Sequence, residues 1–500
     1  MDVETAWSRF PNRAGTRFIA LLAVVLCCLL ASKGLALLPG YMLDDYLHSD
    51  TFSGRQLAYL SQGRFTEAAL ATLSNALGLR WTEIYLFNLA LSFVAYAWLI
   101  GRFVSALVPE GRAFAAQLLG GALIAVHPFF TELLAFRNAD VNTLCFVGLL
   151  CLFLQAWLGI DARAALALQW RRQVVAAVAL TLSIGAYQAA LPLAGCVVML
   201  IVFRRSLDGP ASGFIARYAG QWRTLLPLVG ATLLYALVNG AIRMLLPNAT
   251  GDARGKIAGA QELAQRLPQV VDLLAELLYR GSSFQSAALS VTILLMLVFC
   301  VLRMRHLGPT APCVAAAMFL GLLLACVLPL ALAGQWWPVY RALPGVAFLV
   351  GGLVTLGLGA KERPPLALLL GVAVVVWGLA GQSNRILFDQ WRLNRWDMNL
   401  AAQLLLDLEK SYGQVFPQAV SLVPPPVSIH QTPLLSAMKD HGVSGLQLTK
   451  YQSGLFREAT GRSIRVVPPD TTAVLYCQAS PRWPAAEAVT LRGEVIYVCL

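Results

Sequence analysis

The sequence predicts a polytopic α-helical membrane protein with a soluble α+β domain at its C-terminus. Three observations lead there. Hydrophobic residues make up 58% of the 500 residues and charged residues only 13%, against about 25% charged in an average soluble protein. So few charges cannot cover a soluble surface. The apolar residues also fall in continuous runs, many near the ~20 residues that a spanning helix needs, without the alternation of barrel strands. Beyond residue 381 charges return to ordinary density and no such run follows. Disordered, collagenous and disulfide-scaffold classes are excluded. The net charge of +12 does not indicate nucleic acid: no basic cluster with interleaved aromatics occurs, and the positive charges lie mostly in short segments between apolar runs, where topology explains them.

The expected spans are 17–39, 82–101, 114–130, 141–160, 173–187, 189–203, 225–246, 284–302, 311–333, 343–360 and 365–381. The first follows Arg9, Arg13 and Arg17 and is too long for a cleaved signal. The stretch 173–203 would be about 46 Å long as one helix, too long for a ~30 Å hydrocarbon core without extreme tilt. A break near Gly185, Tyr187, Gln188 and Pro192 gives two short helices. Charge supports the break. With the N-terminus inside, Arg9, Arg13, Arg17, Arg102, Arg112, Arg163, Arg171, Arg172, Arg204, Arg205, Arg217, Arg223, Arg303, Arg305, Lys361 and Arg363 all fall on the cytoplasmic side. A single helix would put the group at 204–223 outside, against the positive-inside rule. The expectation is therefore about eleven helices, N-terminus in and C-terminus out.

That topology divides the chain into a cytoplasmic N-terminus at 1–16, a membrane domain at 17–381 and an outer soluble domain at 382–500. The outer loops are 40–81, 131–140, 247–283 and 334–342. In the tail, 424–426 is a proline run, Trp391, Trp396, Leu400, Leu404 and Leu408 predict an amphipathic helix over 388–408, and 472–477 and 494–499 read as strands. Eight of the ten cysteines (Cys27, Cys28, Cys145, Cys151, Cys196, Cys300, Cys313 and Cys326) sit in or beside apolar spans as small hydrophobes. Cys477 and Cys499 end the two candidate strands, on the side where an oxidising compartment lets them pair. No zinc spacing, P-loop, dinucleotide fingerprint, zincin motif or nucleophile elbow occurs in a convincing context.

The candidate chemistry collects on the outer side. Asp44 and Asp45 follow the first span. Adjacent carboxylates repel, so one should hold its proton more tightly unless a cation intervenes, and such a pair can supply a general base. His48, Arg55 and Arg64 follow, and Phe65, Ala69, Leu73 and Leu77 form one stripe of a helix suited to the membrane interface, roofing a cavity. Asp44, Asp45 and His48 could also serve a divalent metal, although their spacing matches no known metal motif. A second loop carries Glu132, Arg137, Asn138 and Asp140. Charges at membrane depth are costly unless paired or facing water; Arg137 and Asp140 can pair with each other, or Arg137 can face a phosphate while Asp140 holds the site. Tyr187 and Gln188 sit at the break, as a turn or as sugar-binding groups. Tyr340 and Arg341 follow Trp336 and Trp337, which suit an aromatic belt. Arg341 calls for an anionic partner on a side where positive charge is disfavoured. Arg243 is a weaker phosphate candidate, while Arg254, Lys256, Arg266 and Arg280 read mostly as solvated.

An Asp-Asp pair just after the first helix, many helices and a soluble outer tail resemble GT-C glycosyltransferases. Asp44–Asp45 with Gly63–Arg64, the block His127–Asp140, and Ser183-Ile-Gly-Ala-Tyr187-Gln188 more closely resemble the type II Gtr family, glucosyltransferases that modify bacterial O-antigen; Tyr340–Arg341 fits a late aromatic-arginine position. The resemblance covers roughly residues 15–400, and Arg137-Asn138-Ala139 departs from the more aromatic, basic run expected before Asp140. It implies a GT-C-like inner-membrane enzyme that takes a sugar, glucose by analogy, from a polyprenyl-phosphate donor to a periplasmic glycan such as the O-antigen of lipopolysaccharide. A flippase and a donor-forming glycosyltransferase would work alongside it. Asp44 or Asp45 would take the acceptor proton. Arg64, Arg137 and Arg341 would hold the lipid phosphate, and His48, Arg55, Glu132, Asp140, Tyr187, Gln188 and Tyr340 would line the substrate site. The resemblance makes no cofactor certain and leaves room for a divalent metal. An O-antigen polymerase or ligase would not need the Asp-Asp pair, and a lipid-linked glycan flippase should show paired halves and midplane charges, which this sequence lacks.

Overall fold

The computed structural model describes residues 14–38, 40–48, 55–108, 114–162, 164–207, 213–246, 257–282, 285–360, 364–413, 419–424 and 443–500. Arg9, Arg13, Arg112, Arg163, Arg254, Lys256, Lys361, Arg363 and most of the 424–426 proline run lie outside the described residues.

In chain order the helices are α1 (Ala14–Lys33), α2 (Leu43–His48), α3 (Arg55–Ser61), α4 (Phe65–Ala76), α5 (Trp81–Leu107), α6 (Phe114–Val126), α7 (Thr131–Ala135), α8 (Asp140–Leu158), α9 (Leu166–Ala186), α10 (Ala190–Ser206), α11 (Phe214–Gly220), α12 (Trp222–Leu245), α13 (Ala260–Ala275), α14 (Ala287–Arg303), α15 (Ala311–Leu332), α16 (Pro344–Gly359) and α17 (Leu366–Tyr412), followed by β1 (Ala419–Val423), α18 (Thr449–Thr460), α19 (Thr471–Ala479), β2 (Val489–Arg492) and β3 (Val495–Cys499). Among the described residues seven helices are long and apolar enough to cross a membrane, or eight if the bent pair of α6 and Pro128–Ala135 is one span. By that measure the count is seven or eight rather than eleven. Every expected span does fall on a helix, but α9 carries Arg171 and Arg172, and α10 and α16 have only 17 and 16 residues.

The bundle closes around α16, which is buried along almost its whole length and packs on α6, α10, α14 and α15. Glycine permits this approach: a Cβ at Gly120 would strike Thr355, and one at Gly351 would strike Ile124. Outward side chains such as Leu237 and Trp377 are apolar and exposed, as a lipid-facing surface requires.

Two breaks shape the site. Pro128 lacks an N–H and crowds the preceding turn, so the chain bends by 45° between α6 and the segment Pro128–Ala135. The freed carbonyls are met from other helices: Lys33 Nζ donates to the Ala125 carbonyl at 2.6 Å and Ser383 Oγ to that of Val126 at 2.7 Å. The second break, Tyr187–Ala189, separates α9 from α10 where the expected long stretch divides.

The tail departs from expectation in two ways. No break occurs at 382: α17 runs unbroken for 47 residues, about 70 Å at 1.5 Å per residue, and carries the chain beyond the apolar stretch. The segment 472–477 is helical, not a strand, because Asp470 caps α19 by accepting the Ala473 N–H at 2.7 Å. β3 lies between β1, to which it is parallel, and β2, to which it is antiparallel. A disulfide joins Cys477 of α19 to Cys499 of β3. The core of this C-terminal unit combines Leu404 and Leu408 of α17 with Leu455 and Phe456 of α18, and it also takes in Leu43 and Tyr46 of α2.

Candidate active site

The short helix α2 is held from both sides, and this separates its two aspartates. Asp45 is fully buried. Its Oδ2 accepts the Met42 N–H at 2.7 Å, as an acid in the first turn of a helix can, and the Arg137 N–H at 3.3 Å. Asp45 thus joins the loop that follows α1 to the loop that precedes α8. Asp44 is only half-buried, and its Oδ1 accepts the Tyr451 hydroxyl at 2.9 Å, a contact from α18. Asn394 Nδ2 of α17 donates to the Tyr46 hydroxyl at 2.7 Å, and Asp397 holds the Ser444 hydroxyl and the Gly445 N–H at 2.5 and 2.8 Å. The C-terminal unit is therefore part of the wall behind the Asp-Asp pair.

Arg137 is buried with its guanidinium 4.4 Å from the Tyr41 ring centre and 4.0 Å from that of Tyr85, distances at which a cation is attracted to a ring face. Its Nε and Nη2 have no hydrogen-bond partner among the described residues. These two atoms form the side-on edge of the guanidinium fork, the edge that meets two oxygens of a phosphate. Asp140, in the first turn of α8, is 1% exposed, and neither carboxylate oxygen has a hydrogen-bond partner among the described residues. Asp45 and Arg137 act on it electrostatically. A crevice of about 20 Å³ reaches Arg137 and Tyr85 between the end of α1, α7 and α17. That is room for about one water molecule, so a larger ligand needs the crevice to open.

A second group of charges surrounds Tyr187. The Arg64 guanidinium lies 5.3 Å from its ring centre and pairs with Glu67 at 3.2 Å. Arg341 and Glu132 also act on Tyr187. Burial pushes the Glu67 carboxyl above the usual range, while Arg64 pulls it back. Arg341 lies over the rings of Phe136 and Trp337 at 5.0 and 5.8 Å. Tyr340 stacks on Phe129 at 5.1 Å and donates its hydroxyl to Glu276 at 2.7 Å. Glu132 is buried on α7.

The structure thus brings Asp45, Arg137 and Asp140 into one cluster, and Arg64, Glu132, Tyr187 and Arg341 into another. Gln188 donates its amide to the Gln62 carbonyl at 2.6 Å, which ties the break between α9 and α10 to the turn before α4. His48 and Arg55 lie on α2 and α3, but their side chains are outside the described residues, as is that of Asn138. Among the described residues no three of His, Cys, Asp and Glu gather to hold a metal. Arg266 is not solvated: it is buried and donates to the carbonyls of Ala331, Ala333 and Gly334 at the end of α15.

Sequence reasoning missed Tyr41, Tyr85, Glu67, Glu276 and Tyr451. Tyr41 stands next to the Asp-Asp segment and was within reach. On α4 the expected stripe drew attention to Leu73 and Leu77, which are exposed, whereas the packed face carries Glu67, Ala68, Ala71 and Ser74. Nothing local in the sequence points from Tyr451 to Asp44, four hundred residues earlier.

Among solved structures, the chain is similar to the Archaeoglobus fulgidus oligosaccharyltransferase tethered with an acceptor peptide, at 13% identity and a TM-score of 0.39, over 90% of this chain and 63% of that one. It is likewise similar to archaeal oligosaccharyltransferase AglB from Archaeoglobus fulgidus in complex with an inhibitory peptide and a dolichol-phosphate, at 11% identity and a TM-score of 0.40, over 90% of this chain and 64% of that one. The chain thus spans less than two thirds of the length of these neighbours. Comparison with curated proteins gives no match. The pattern of the glucosyl transferase GtrII family matches residues 39–354, more than half of the chain and the whole stretch from Asp44 to Arg341. The apolar helices suit a multi-pass membrane protein, and the chain belongs to the glucosyl transferase GtrII family.

Proposed function

We propose that the protein transfers a sugar, glucose by its family, from a polyprenyl-phosphate donor to a hydroxyl of a periplasmic glycan such as O-antigen. In this reading the N-terminus lies in the cytoplasm, the site faces the periplasm from the inner membrane, and residues from about 382 onward lie on the periplasmic side. A donor-forming glycosyltransferase and a flippase supply the lipid-linked sugar.

The observation that supports this best is the unpaired Nε–Nη2 edge of buried Arg137 beside Asp45 and Asp140. A buried donor left unsatisfied costs about 1–3 kcal/mol, more when charged; a phosphate of the lipid donor would satisfy both N–H groups. Asp44 is the reading's base: it is the more accessible of the pair, and Tyr451 holds its Oδ1 in place. Asp44 takes the proton from the acceptor hydroxyl as that oxygen attacks the anomeric carbon. The carbon–oxygen bond to the phosphate breaks, its electrons leave with the lipid phosphate, and Arg137 stabilises the charge. Arg64 and Arg341, around Tyr187, complete the basic lining. Asp45 acts by positioning, since both its backbone partners belong to the site loops.

The test is mass spectrometry of surface glycan from cells with and without the gene. An added hexose on the repeat supports transfer. A change in chain length with unmodified repeats would instead assign a polymerase.

A further inference from the structure

A cavity of about 560 Å³ lies at the end of the bundle away from Asp45. Helix direction fixes its place. α1 and α6 begin there and run toward the site loops, whereas α5, α8 and α10 start at the site and end there. Arg17 of α1, Arg102 of α5 and Arg205 of α10 line it, with an apolar wall that includes Phe18, Leu158 and Ile201.

Arginines at helix ends are expected from topology alone, but such residues should spread into water. These three come from three helices and converge on one cavity. Two are held there. Arg205 lies 4.9 Å from the Trp157 ring centre and donates to the Leu158 carbonyl at 3.3 Å. Arg102 lies 5.7 Å from the ring centre of Trp98 and 6.0 Å from that of Phe18, and its buried Nε has no hydrogen-bond partner among the described residues. Among the described lining residues there is no carboxylate; Asp161 acts on Arg205 but does not line the cavity. The volume falls within the ~300–1,000 Å³ of small-ligand pockets. Guanidinium groups beside an apolar wall match a phosphate joined to acyl chains better than a free anion.

We propose that this cavity binds the phosphate of an anionic phospholipid headgroup, with Arg102 and Arg205 on the phosphate and the acyl chains along the apolar wall. Basic pockets between transmembrane helices bind such headgroups in general. The proposal does not rest on the sugar-transfer reading.

The test uses the full chain purified in detergent and native mass spectrometry. The probes are phosphatidylglycerol, phosphatidylcholine and inorganic phosphate. Phosphatidylglycerol should be retained preferentially over phosphatidylcholine and should not be displaced by millimolar phosphate. The double variant R102Q/R205Q should bind it about 10- to 30-fold more weakly, from roughly 1 kcal/mol per arginine, and R102K/R205K should recover part of the loss. If the double variant does not fold, R17Q alone should still weaken retention severalfold. Equal retention of the two lipids, displacement by inorganic phosphate, or unchanged binding in folded variants would overturn the proposal.

Discussion

Replacing each aspartate of the pair by asparagine should have different consequences, and the structure says which. In Asp45→Asn the fully buried side chain loses its charge while facing two backbone N–H groups, at 2.7 and 3.3 Å on the same oxygen. Hydrogen bonds to charged groups contribute about 1.5–3 kcal/mol and neutral ones about 0.5–1.5. An amide oxygen can keep both contacts only as neutral bonds, so the expected cost is about 1–3 kcal/mol of stability, located where α2 meets the Arg137 loop. In Asp44→Asn the amide oxygen can still accept the Tyr451 hydroxyl. Its stability should hardly change, but proton acceptance is gone, and loss of general-base catalysis costs roughly 10²–10⁴ in rate. The assay is membrane expression and thermal midpoint for both variants, followed by the rate of sugar transfer. Asp44→Asn should fold normally and transfer essentially no sugar. Asp45→Asn should show a lowered midpoint and a partial loss. If Asp44→Asn transferred at the wild-type rate while a fully stable Asp45→Asn was inactive, the assignment of base and anchor would be reversed and the geometric argument refuted.

Arg137→Ala and Arg341→Ala should each weaken donor binding, and lysine at either position should restore only part of it, because lysine lacks the planar fork; unchanged donor affinity in both alanine variants would return these residues to structural roles. A phosphatase fused at residue 450 should be active and one at 215 inactive; activity at 215 would invert the sidedness of everything after α10. Thiol labelling of the unreduced protein should miss Cys477 and Cys499, whose bridge spans 22 positions in sequence and should contribute about 3 kcal/mol in the chain-entropy model; labelling of both in otherwise folded protein would contradict the bridge.

Where sequence reading succeeded, the signal was local and physical. Hydrophobic length located the helices, and the excess length of 173–203 required the break that the structure places at Tyr187–Ala189. The cost of charge near a membrane singled out Arg137 and Asp140, which prove to be buried polar groups short of protein partners. Failures arose where the deciding contact is distant. Hydropathy ends α17 near residue 381, but the backbone has no reason to break there, and packing against α18 carries the helix on to Tyr412. The run 472–477 has strand composition, yet the Asp470 cap makes it a helix. Arg266 reads as a loop charge, while tertiary packing places it on the orphan carbonyls that end α15. The link between Tyr451 and Asp44 joins the two ends of the chain, and no window on the sequence contains both.

The central claim is that this chain moves a sugar from a lipid phosphate to a glycan hydroxyl, with Asp44 taking the proton. The most direct measurement reconstitutes the purified full chain in a bilayer with a polyprenyl-phosphate glucose and a purified acceptor glycan, and follows the acceptor by mass spectrometry. The account predicts one hexose added per acceptor site by the wild-type chain, and none above background by Asp44→Asn at equal donor binding. Donor bound by a folded wild-type chain with no hexose transferred, or equal transfer by the two proteins, would contradict it.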